Sequence, residues 1–321
     1  MNGGHTGRPH LSVVAPVYRE EGNVAEFCRR VGAALAGITR DYEIVLVEDG
    51  GGDGSWARIV EESRTDRRIK GLRFARNFGQ HYAITAGLSA ARGDWVVVMD
   101  SDLQDRPEVI PELYAKARQG FEIVFVARRD RPEALWYRAA QRIFYALFRW
   151  LAGTDYDPAH GNFSILSRRV LAHYLSLNEQ LRFYGGMLAW LGFPRASIEA
   201  AHGRRHAGRS VYTLRNRLRL AGAIVVAHSD RPLRLSIGFG FLMAAGAFAY
   251  GVVLVVRALL GQIVVPGYAS MMASMFFIGG LVLLVQGIVG VYIGKIYAEA
   301  RRRPLYVVAE TIGLPPPEIR P

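Results

Sequence analysis

The sequence has 321 residues, half of them hydrophobic, and a formal net charge of +12 at neutral pH. Its single cysteine, Cys28, excludes an intrachain disulfide, and the mean hydropathy of +0.10 reflects apolar residues concentrated after residue 232. The polar start from Met1 to His10 lacks the apolar core of a signal peptide, so we expect the first domain to stay in the cytosol. The charge favours an anionic membrane surface or a phosphorylated substrate over nucleic acid, because no nucleic-acid-binding motif is visible.

The first part of the chain alternates between apolar runs and amphipathic segments. The apolar runs predict strands at Leu11–Val17, Tyr42–Val47, Ile69–Phe74, Trp95–Met99 and Glu122–Ala127. The amphipathic segments predict helices at residues 24–38, 55–65, 82–92 and 107–119. This β-α-β order predicts a doubly wound, mostly parallel sheet with right-handed crossovers.

Polar side chains follow each of the five predicted strands. Ligands of open α/β sheets bind outside the carboxyl ends of the strands, so we expect these loops to form one site. In chain order the loops carry Tyr18 and Glu20, Glu48 and Asp49, Arg76 and Asn77, Asp100, Asp102 and Gln104, and Arg128.

The most informative loop is Asp100-Ser101-Asp102-Leu103-Gln104, directly after the apolar run Trp95–Met99. Its carboxylate and amide oxygens suit Mg²⁺ or Mn²⁺, and substrate phosphates often complete the shell of such an ion. A polar turn is the alternative, but the buried strand before the loop favours a metal that holds a diphosphate. The chain has neither a G-x-G-x-x-G nor a G-x-x-x-x-G-K-[ST] motif, so metal and arginine should hold phosphate instead.

The middle of the chain carries signs of a membrane interface. Aromatic residues and arginines from Trp136 to Leu151 predict a helix in the interfacial plane, although a core helix with snorkelling arginines is the alternative. A second basic amphipathic helix is predicted from Leu214 to Val226. Residues His160–Ser164 are interpreted as a polar break before an apolar stretch.

Two uncharged segments follow, Leu235–Val256 and Ala258–Gly294, and Pro266-Gly267 marks a break in the second. The predicted spans are Leu235–Val256 and about Ser270–Ile293, and each exceeds the ~20 residues that a membrane-crossing helix needs. Basic residues flank the pair of spans on both outer sides, so the positive-inside rule puts both flanks in the cytosol and the connecting loop outside.

With these motifs, the chain resembles family 2 glycosyltransferases of the GT-A fold. Among them it is similar to the polyprenyl-phosphate glycosyltransferases of the dolichyl-phosphate-mannose-synthase-like group, which have two C-terminal transmembrane helices. The resemblance implies an α/β catalytic domain with a Rossmann-like, mostly parallel sheet. The motifs that carry it are Pro16–Glu20, Val47–Gly50 with Asp53–Ser55, Arg76–Gly79, Met99–Asp105, Arg205–Tyr212 and Arg303–Tyr306.

The resemblance also implies a role for individual residues. The nucleotide-sugar donor would be bound by Pro16, Val17, Tyr18, Glu20, Asp49, Asn77, Asp100, Ser101 and Arg128. The metal, Mg²⁺ or Mn²⁺, would be bound by Asp102 and Gln104, and the acceptor phosphate by Arg128, Arg205 and Ser210. The residues implied in catalysis are Asp100, Asp102, Asn162 and Arg205.

One departure from the family pattern concerns catalysis. Many relatives have Gly-Asp-Phe-Arg where this chain has Gly161-Asn162-Phe163-Ser164, and their Asp is considered a catalytic base. Asn cannot take a proton, but a phosphate acceptor is already an anionic nucleophile. We therefore expect Asn162 to position substrate.

The resulting prediction is a membrane-bound, metal-dependent, inverting hexosyltransferase of the inner (plasma) membrane. It would move a sugar from a UDP- or GDP-sugar to polyprenyl phosphate at the cytosolic face. The alternatives are a transferase for another lipid or glycan acceptor, and a non-catalytic membrane platform. Membrane lipid is a further expected partner and nucleic acid is not, while the sugar, the nucleotide and a homo-oligomeric state stay open. The predicted domains are a cytosolic catalytic domain at 1–230 with interfacial helices near 134–152 and 214–228, a two-helix transmembrane domain at 231–298, and a cytosolic tail at 299–321.

Overall fold

The computed structural model describes residues 9–128, 160–200, 229, 231–260 and 267–315. These residues belong to two compact units, one built on an α/β sheet and one of apolar helices. The strands are β1 Leu11–Val17, β2 Tyr42–Glu48, β3 Ile69–Phe74, β4 Trp95–Val98, β5 Ile123–Arg128, β6 His160–Ser167, β7 Arg195–Ala200 and β8 Val308–Ile312. The helices are α1 Val24–Ala36, α2 Ser55–Thr65, α3 Gln80–Ala90, α4 Ile110–Ala117 (after a 3₁₀ turn at Pro107–Val109), α5 Arg168–Ser176, α6 Tyr184–Trp190, α7 Arg231–Leu259 and α8 Tyr268–Ala300.

The described strands form one eight-stranded sheet in the order β7-β5-β6-β4-β1-β2-β3-β8. β1 pairs in parallel with β2 and β4, β2 with β3, and β5 with β7. β6 runs antiparallel between β4 and β5, and β8 runs antiparallel to β3. The carboxyl ends of β1 to β5 therefore lie at the same edge, and the predicted mostly parallel α/β fold class is confirmed.

Helices cover both faces of the sheet, so its central strands are buried on both sides. Val13 and Ala15 of β1 belong to the core cluster that contains Phe27 of α1. Val14, which points the other way, belongs to the cluster that contains Ile84 of α3. Because neither face of these central strands meets solvent, a ligand can reach them only at the ends of the strands.

The predicted strands and helices up to Ala127 agree with the structure to within two residues at each end, when the 3₁₀ turn at Pro107–Val109 is counted with α4. The predicted polar break at His160–Ser164 is wrong, because β6 spans His160–Ser167 without interruption. The Ser164 hydroxyl is fully buried, 3.0 Å from the carbonyl oxygen of Asn162 and 2.8 Å from the hydroxyl of Tyr184. Tertiary partners thus satisfy a polar group that, from the sequence alone, favoured a loop.

The segment after the last apolar helix returns to the sheet. β8 pairs with the edge strand β3, and the backbone N–H of Ala75 donates to the carbonyl oxygen of Val307 at 2.9 Å. Glu310 accepts hydrogen bonds from Trp56 at 2.9 Å and from Arg73 at 2.7 Å. The sequence analysis assigned no strand to this part of the predicted tail.

The two apolar helices contain the predicted spans. α7 and α8 are both long and apolar enough to cross a membrane by length and composition, over Leu233–Tyr250 and Phe277–Ala300. Large apolar side chains on them are exposed, Phe241 and Leu283 among them. The interfacial helices predicted near 134–152 and 214–228 lie outside the described residues.

Candidate active site

The predicted site residues that the structure describes lie at one edge of the sheet. The loops after β1, β2, β3 and β4 all leave the carboxyl ends of parallel strands, and Arg128 is the last residue of β5. β6 runs the opposite way and so contributes its amino-terminal end, with Gly161 and Asn162. Five carboxyl ends and one amino end therefore surround the candidate site.

The loop at residues 100–105, hereafter the aspartate loop, is fastened to the sheet by buried polar groups. The hydroxyl of Ser101 is buried and donates to the carbonyl oxygen of Pro16 at 2.8 Å. The buried carboxylate of Asp105 accepts from the backbone N–H of Asp100 at 3.2 Å. These contacts fix the backbone from which Asp100 and Asp102 project.

The second half of the aspartate loop is a tight turn. Leu103 has a left-handed backbone with φ of +62° while its side chain stays buried. The backbone N–H of Gln104 donates to Oδ1 of Asp102 at 3.0 Å, an Asx turn that orients the carboxylate. The turn therefore brings the carboxylate of Asp102 and the residue Gln104 close together, as the predicted metal site requires.

The donor set fits a hard divalent cation, because Asp102 and Gln104 offer carboxylate and amide oxygens. Among the described residues, no group of three or more His, Cys, Asp and Glu side chains could hold a metal ion by itself. A cation at this loop would consequently take further oxygens from water or a phosphorylated ligand, as Mg²⁺ usually does.

Asp49 ties the end of β2 to the loop at residues 76–79, hereafter the Arg76–Gly79 loop. Its side chain is buried and accepts from the backbone N–H of Phe78 at 2.7 Å and of Gly79 at 2.9 Å. Gly50 makes this close approach possible, since its φ is +63° and a Cβ there would lie 2.3 Å from the carbonyl carbon of Arg76.

The electrostatics of Asp49 combine opposing effects. Burial raises the pKa of its carboxyl, while the hydrogen bonds from Phe78 and Gly79 lower it and the neighbouring carboxylate of Glu48 raises it. Burial is the largest of these, so the ionised carboxylate depends on the two backbone donors. The structure thus gives Asp49 a structural contact in addition to the donor-binding role that the resemblance implies.

Gln80, the first residue of α3, donates from its amide Nε2 to Oδ1 of Asp100 at 2.6 Å. The sequence analysis did not select Gln80. One feature of the sequence could have identified Gln80: it is a polar residue directly after Arg76–Gly79, at the start of a helix that begins at the predicted site. Its contact with Asp100 depends on strand order, which local sequence does not reveal.

The loop after β1 is held by a network of hydrogen bonds. The backbone N–H of Glu20 donates to the hydroxyl of Ser55 at 3.0 Å, and the amide of Asn23 donates to the Glu20 carboxylate. Tyr18 is 40% exposed, so its ring is accessible to a ligand. Val17 is fully buried, which leaves its backbone as the part that can contact a donor.

Asn162 lies at the site end of β6. The antiparallel ladder between β4 and β6 ends at the pair Val98 and Ser164, and the register of β6 against β5 shifts beyond Ser164. Asn162, two residues before Ser164, and Asp100, two residues after Val98, therefore lie at the same edge of the sheet.

The remaining predicted residues divide into two groups. Asn77 is exposed in the Arg76–Gly79 loop, and Arg128 ends β5 at the same edge. Arg205 and Ser210 lie outside the described residues, so their predicted contacts with phosphate stay predictions.

Residues 12–175 match the model of glycosyl transferase family 2. The protein is thus an enzyme of the glycosyltransferase class, and its mostly parallel α/β sheet has the GT-A-like architecture expected for that class. The chain belongs to glycosyl transferase family 2, as the resemblance predicted.

Several relatives match almost the whole chain. An uncharacterised glycosyltransferase, YkcC of Bacillus subtilis, is 34% identical over 304 residues, 94% of each chain. The undecaprenyl-phosphate 4-deoxy-4-formamido-L-arabinose transferase of Klebsiella pneumoniae is 32% identical over 312 residues, 95% of this chain and 94% of the relative. Among solved structures, a mannosyltransferase of Pyrobaculum calidifontis with GDP-Man and Mn²⁺ aligns over 92% of this chain and 87% of its own, at 17% identity and a TM-score of 0.47. The predicted resemblance to polyprenyl-phosphate glycosyltransferases is confirmed at the level of relatives.

Replacing Asp49 by Asn should loosen the Arg76–Gly79 loop. An amide has only one acceptor oxygen, and its NH₂ group would face a backbone N–H. We expect the loss of one buried hydrogen bond to lower the free energy of unfolding by about 1–3 kcal/mol. The measurement is the midpoint of thermal unfolding in detergent. Asp41→Asn is the control, because Asp41 is exposed just before β2. Equal midpoints for Asp41→Asn and Asp49→Asn would contradict the inference that Asp49 holds the Arg76–Gly79 loop.

Proposed function

We propose that this protein transfers a sugar from a nucleoside-diphosphate sugar to polyprenyl phosphate at the cytosolic face of a membrane. The observation that carries the proposal is the similarity to undecaprenyl-phosphate sugar transferases, which extends over 94–95% of this chain and so includes both apolar helices. A transferase for a soluble acceptor would have no need of two such helices.

The donor would lie across the carboxyl ends of β1, β2 and β4. Tyr18, Glu20 and Asn77 would contact the nucleoside, with the backbone of Pro16 and Val17 and the carboxylate of Asp49 nearby. Asp100 and Ser101 would lie beside the sugar and the diphosphate. The contact from Gln80 supports this arrangement, because it holds Asp100 in one orientation.

Asp102 and Gln104 would hold Mg²⁺ or Mn²⁺, as their hard oxygens favour. Such a cation, when bound, offsets the negative charge of the leaving diphosphate. Arg128 and Arg205, with Ser210, would bind the phosphates of donor and acceptor, since the planar guanidinium matches phosphate oxygens.

The acceptor phosphate would attack the anomeric carbon in line, so the reaction would invert the configuration there. A phosphate monoester has its second pKa near ~6 and is mostly a dianion at neutral pH. No proton has to leave the nucleophile, so Asn162 would serve by donating a hydrogen bond to acceptor or sugar.

The return of the chain to the sheet supports the proposed topology. β7 precedes α7 and α8, and β8 follows them, yet both strands belong to one sheet. If each apolar helix crosses the membrane once, both ends of the pair emerge on the side that holds the sheet. The basic flanks favour the cytosol as that side.

The direct test is transfer of radiolabelled sugar from a panel of UDP- and GDP-sugars to undecaprenyl phosphate in proteoliposomes. An organic-extractable product that mild acid hydrolyses is the expected result. Label that reaches only a lipid without phosphate, or a glycan, would favour the alternative acceptors. Nucleotide binding without transfer from any donor would favour a non-catalytic platform.

Asp102→Ala should reduce transfer by more than about 100-fold, because even outer-shell partners of a metal contribute about 10- to 100-fold. The fold should persist, since the carboxylate of Asp102 accepts a hydrogen bond within a local turn at the edge of the sheet. Transfer by the wild type should stop in excess EDTA and resume with Mn²⁺. Glu112→Ala, at an exposed position on α4, is the control. Undiminished turnover in EDTA would refute the metal site.

Asn162→Asp tests whether the reaction needs a base. General-base help contributes about 10²–10⁴-fold when a proton must leave the nucleophile. We expect Asn162→Asp to leave the rate unchanged or lower it, because a carboxylate repels the acceptor phosphate. Asn162→Ala should lower the rate moderately. A large gain in initial rate for Asn162→Asp would show that this chain lacks a base that it needs.

The topology can be tested with a membrane-impermeant maleimide on intact cells. Cys28 should remain unlabelled, because it is buried and burial raises the pKa of its thiol to about 12. A cysteine at the exposed Gly267, between the apolar helices, should react from outside. A cysteine at the exposed Gln119 of the sheet unit should react only after lysis. The reverse pattern would overturn the proposed orientation.

A further inference from the structure

The segment at residues 303–307, hereafter the return segment, links the end of α8 to β8. Its Tyr306 stacks on Phe74, the last residue of β3, with ring centroids 5.1 Å apart and planes at 15°. Phe74 is buried and meets Phe78 edge to face at 5.5 Å. The return segment therefore supports the Arg76–Gly79 loop through two aromatic contacts in series.

A second route leads from the return segment to the same region. The amide of Gln180 donates to the carbonyl oxygen of Arg303 at 3.2 Å. The hydroxyl of Tyr82 on α3 donates to the carbonyl oxygen of Gln180 at 3.0 Å. α3 is thus fastened to the return segment through the loop between α5 and α6, independently of the aromatic contacts.

Both routes lead to the start of α3, where Gln80 donates to Asp100. Phe78 and Gly79 are anchored by Asp49, and the next residue, Gln80, donates to Asp100. A displacement of Phe78 would move Gln80 with it, because only Gly79 separates them. A series of contacts therefore connects Asp100 to residues that follow α8 in the chain.

We propose that Tyr306 is a positioning residue for the nucleotide-sugar site. It holds the Arg76–Gly79 loop, and with it Gln80, in the arrangement that orients Asp100. The return segment then contributes to donor binding, in addition to connecting α8 to β8. This inference rests on the proposed function for the nature of the ligand, a nucleoside diphosphate sugar.

The test compares variants of the full-length protein in detergent. Tyr306→Ala should raise the Kd for the nucleoside diphosphate with Mn²⁺, and the KM for the donor, by about tenfold, the upper range for an aromatic pair. The KM for the acceptor should not change. Tyr306→Phe keeps the stacking ring and should restore donor binding to within about twofold of wild type.

A matched control comes from the same part of the chain. Glu310→Gln removes the charge that pairs with Arg73 but leaves Tyr306 on Phe74. It should lower the thermal midpoint slightly and leave the donor KM at the wild-type value. If Glu310→Gln and Tyr306→Ala raise the donor KM equally, the return segment contributes only to general stability and the proposal fails.

A double-mutant cycle tests whether Tyr306 acts through Gln80. If it does, Tyr306→Ala in a Gln80→Ala background should raise the nucleotide Kd by less than about twofold further, since coupled changes are not additive. Full additivity would overturn the proposed route.

The outcomes also separate this inference from the proposed function. A Kd for the nucleotide raised by about tenfold in Tyr306→Ala, with no transfer to polyprenyl phosphate by the wild type, would uphold the inference and refute the proposed function. Unaltered nucleotide binding in a transfer-competent Tyr306→Ala would do the opposite.

Discussion

The candidate site depends on the buried carboxylate of Asp49. Its contacts with the backbone N–H groups of Phe78 and Gly79 join the end of β2 to the loop that follows the adjacent strand β3. Burying an ionised carboxylate is costly unless hydrogen bonds compensate, and here backbone donors supply them. Because those donors belong to the turn before α3, the same interaction sets where that helix begins. The position of Gln80, which donates to Asp100, follows from it.

The proposed site would hold phosphate in a different way from glycine-rich phosphate loops. The chain offers a tight turn with carboxylate and amide oxygens and, from the sequence, arginines in neighbouring loops. A metal-centred arrangement needs rigid oxygens, since an ion binds well only when its ligands are already oriented. The buried anchors Ser101 and Asp105 provide that rigidity at both ends of the aspartate loop.

The sequence predicts the parallel part of the fold well because each strand there is an apolar run that ends abruptly in polar residues. β6 was not predicted because the hydroxyl of Ser164 has its hydrogen-bond partners only in the folded protein. β8 escaped because it is a short edge strand whose Glu310 pairs with Arg73, a contact 237 residues apart in the chain. The same reasoning applies to the site. Asp100 and Asp102 are visible as a motif, whereas Gln80 gains its role from the order of strands in the sheet.

The position of β8 has a consequence for biosynthesis. A ribosome makes both apolar helices before it makes the strand that completes the sheet. Until then β3 is an open edge with unpaired backbone groups, which is the kind of surface that promotes aggregation. Completion of the sheet is therefore coupled in time to the synthesis of the apolar helices. A chain that stalls before Val308 keeps that edge exposed, which would mark it for quality control even though the residues of the aspartate loop have already been made.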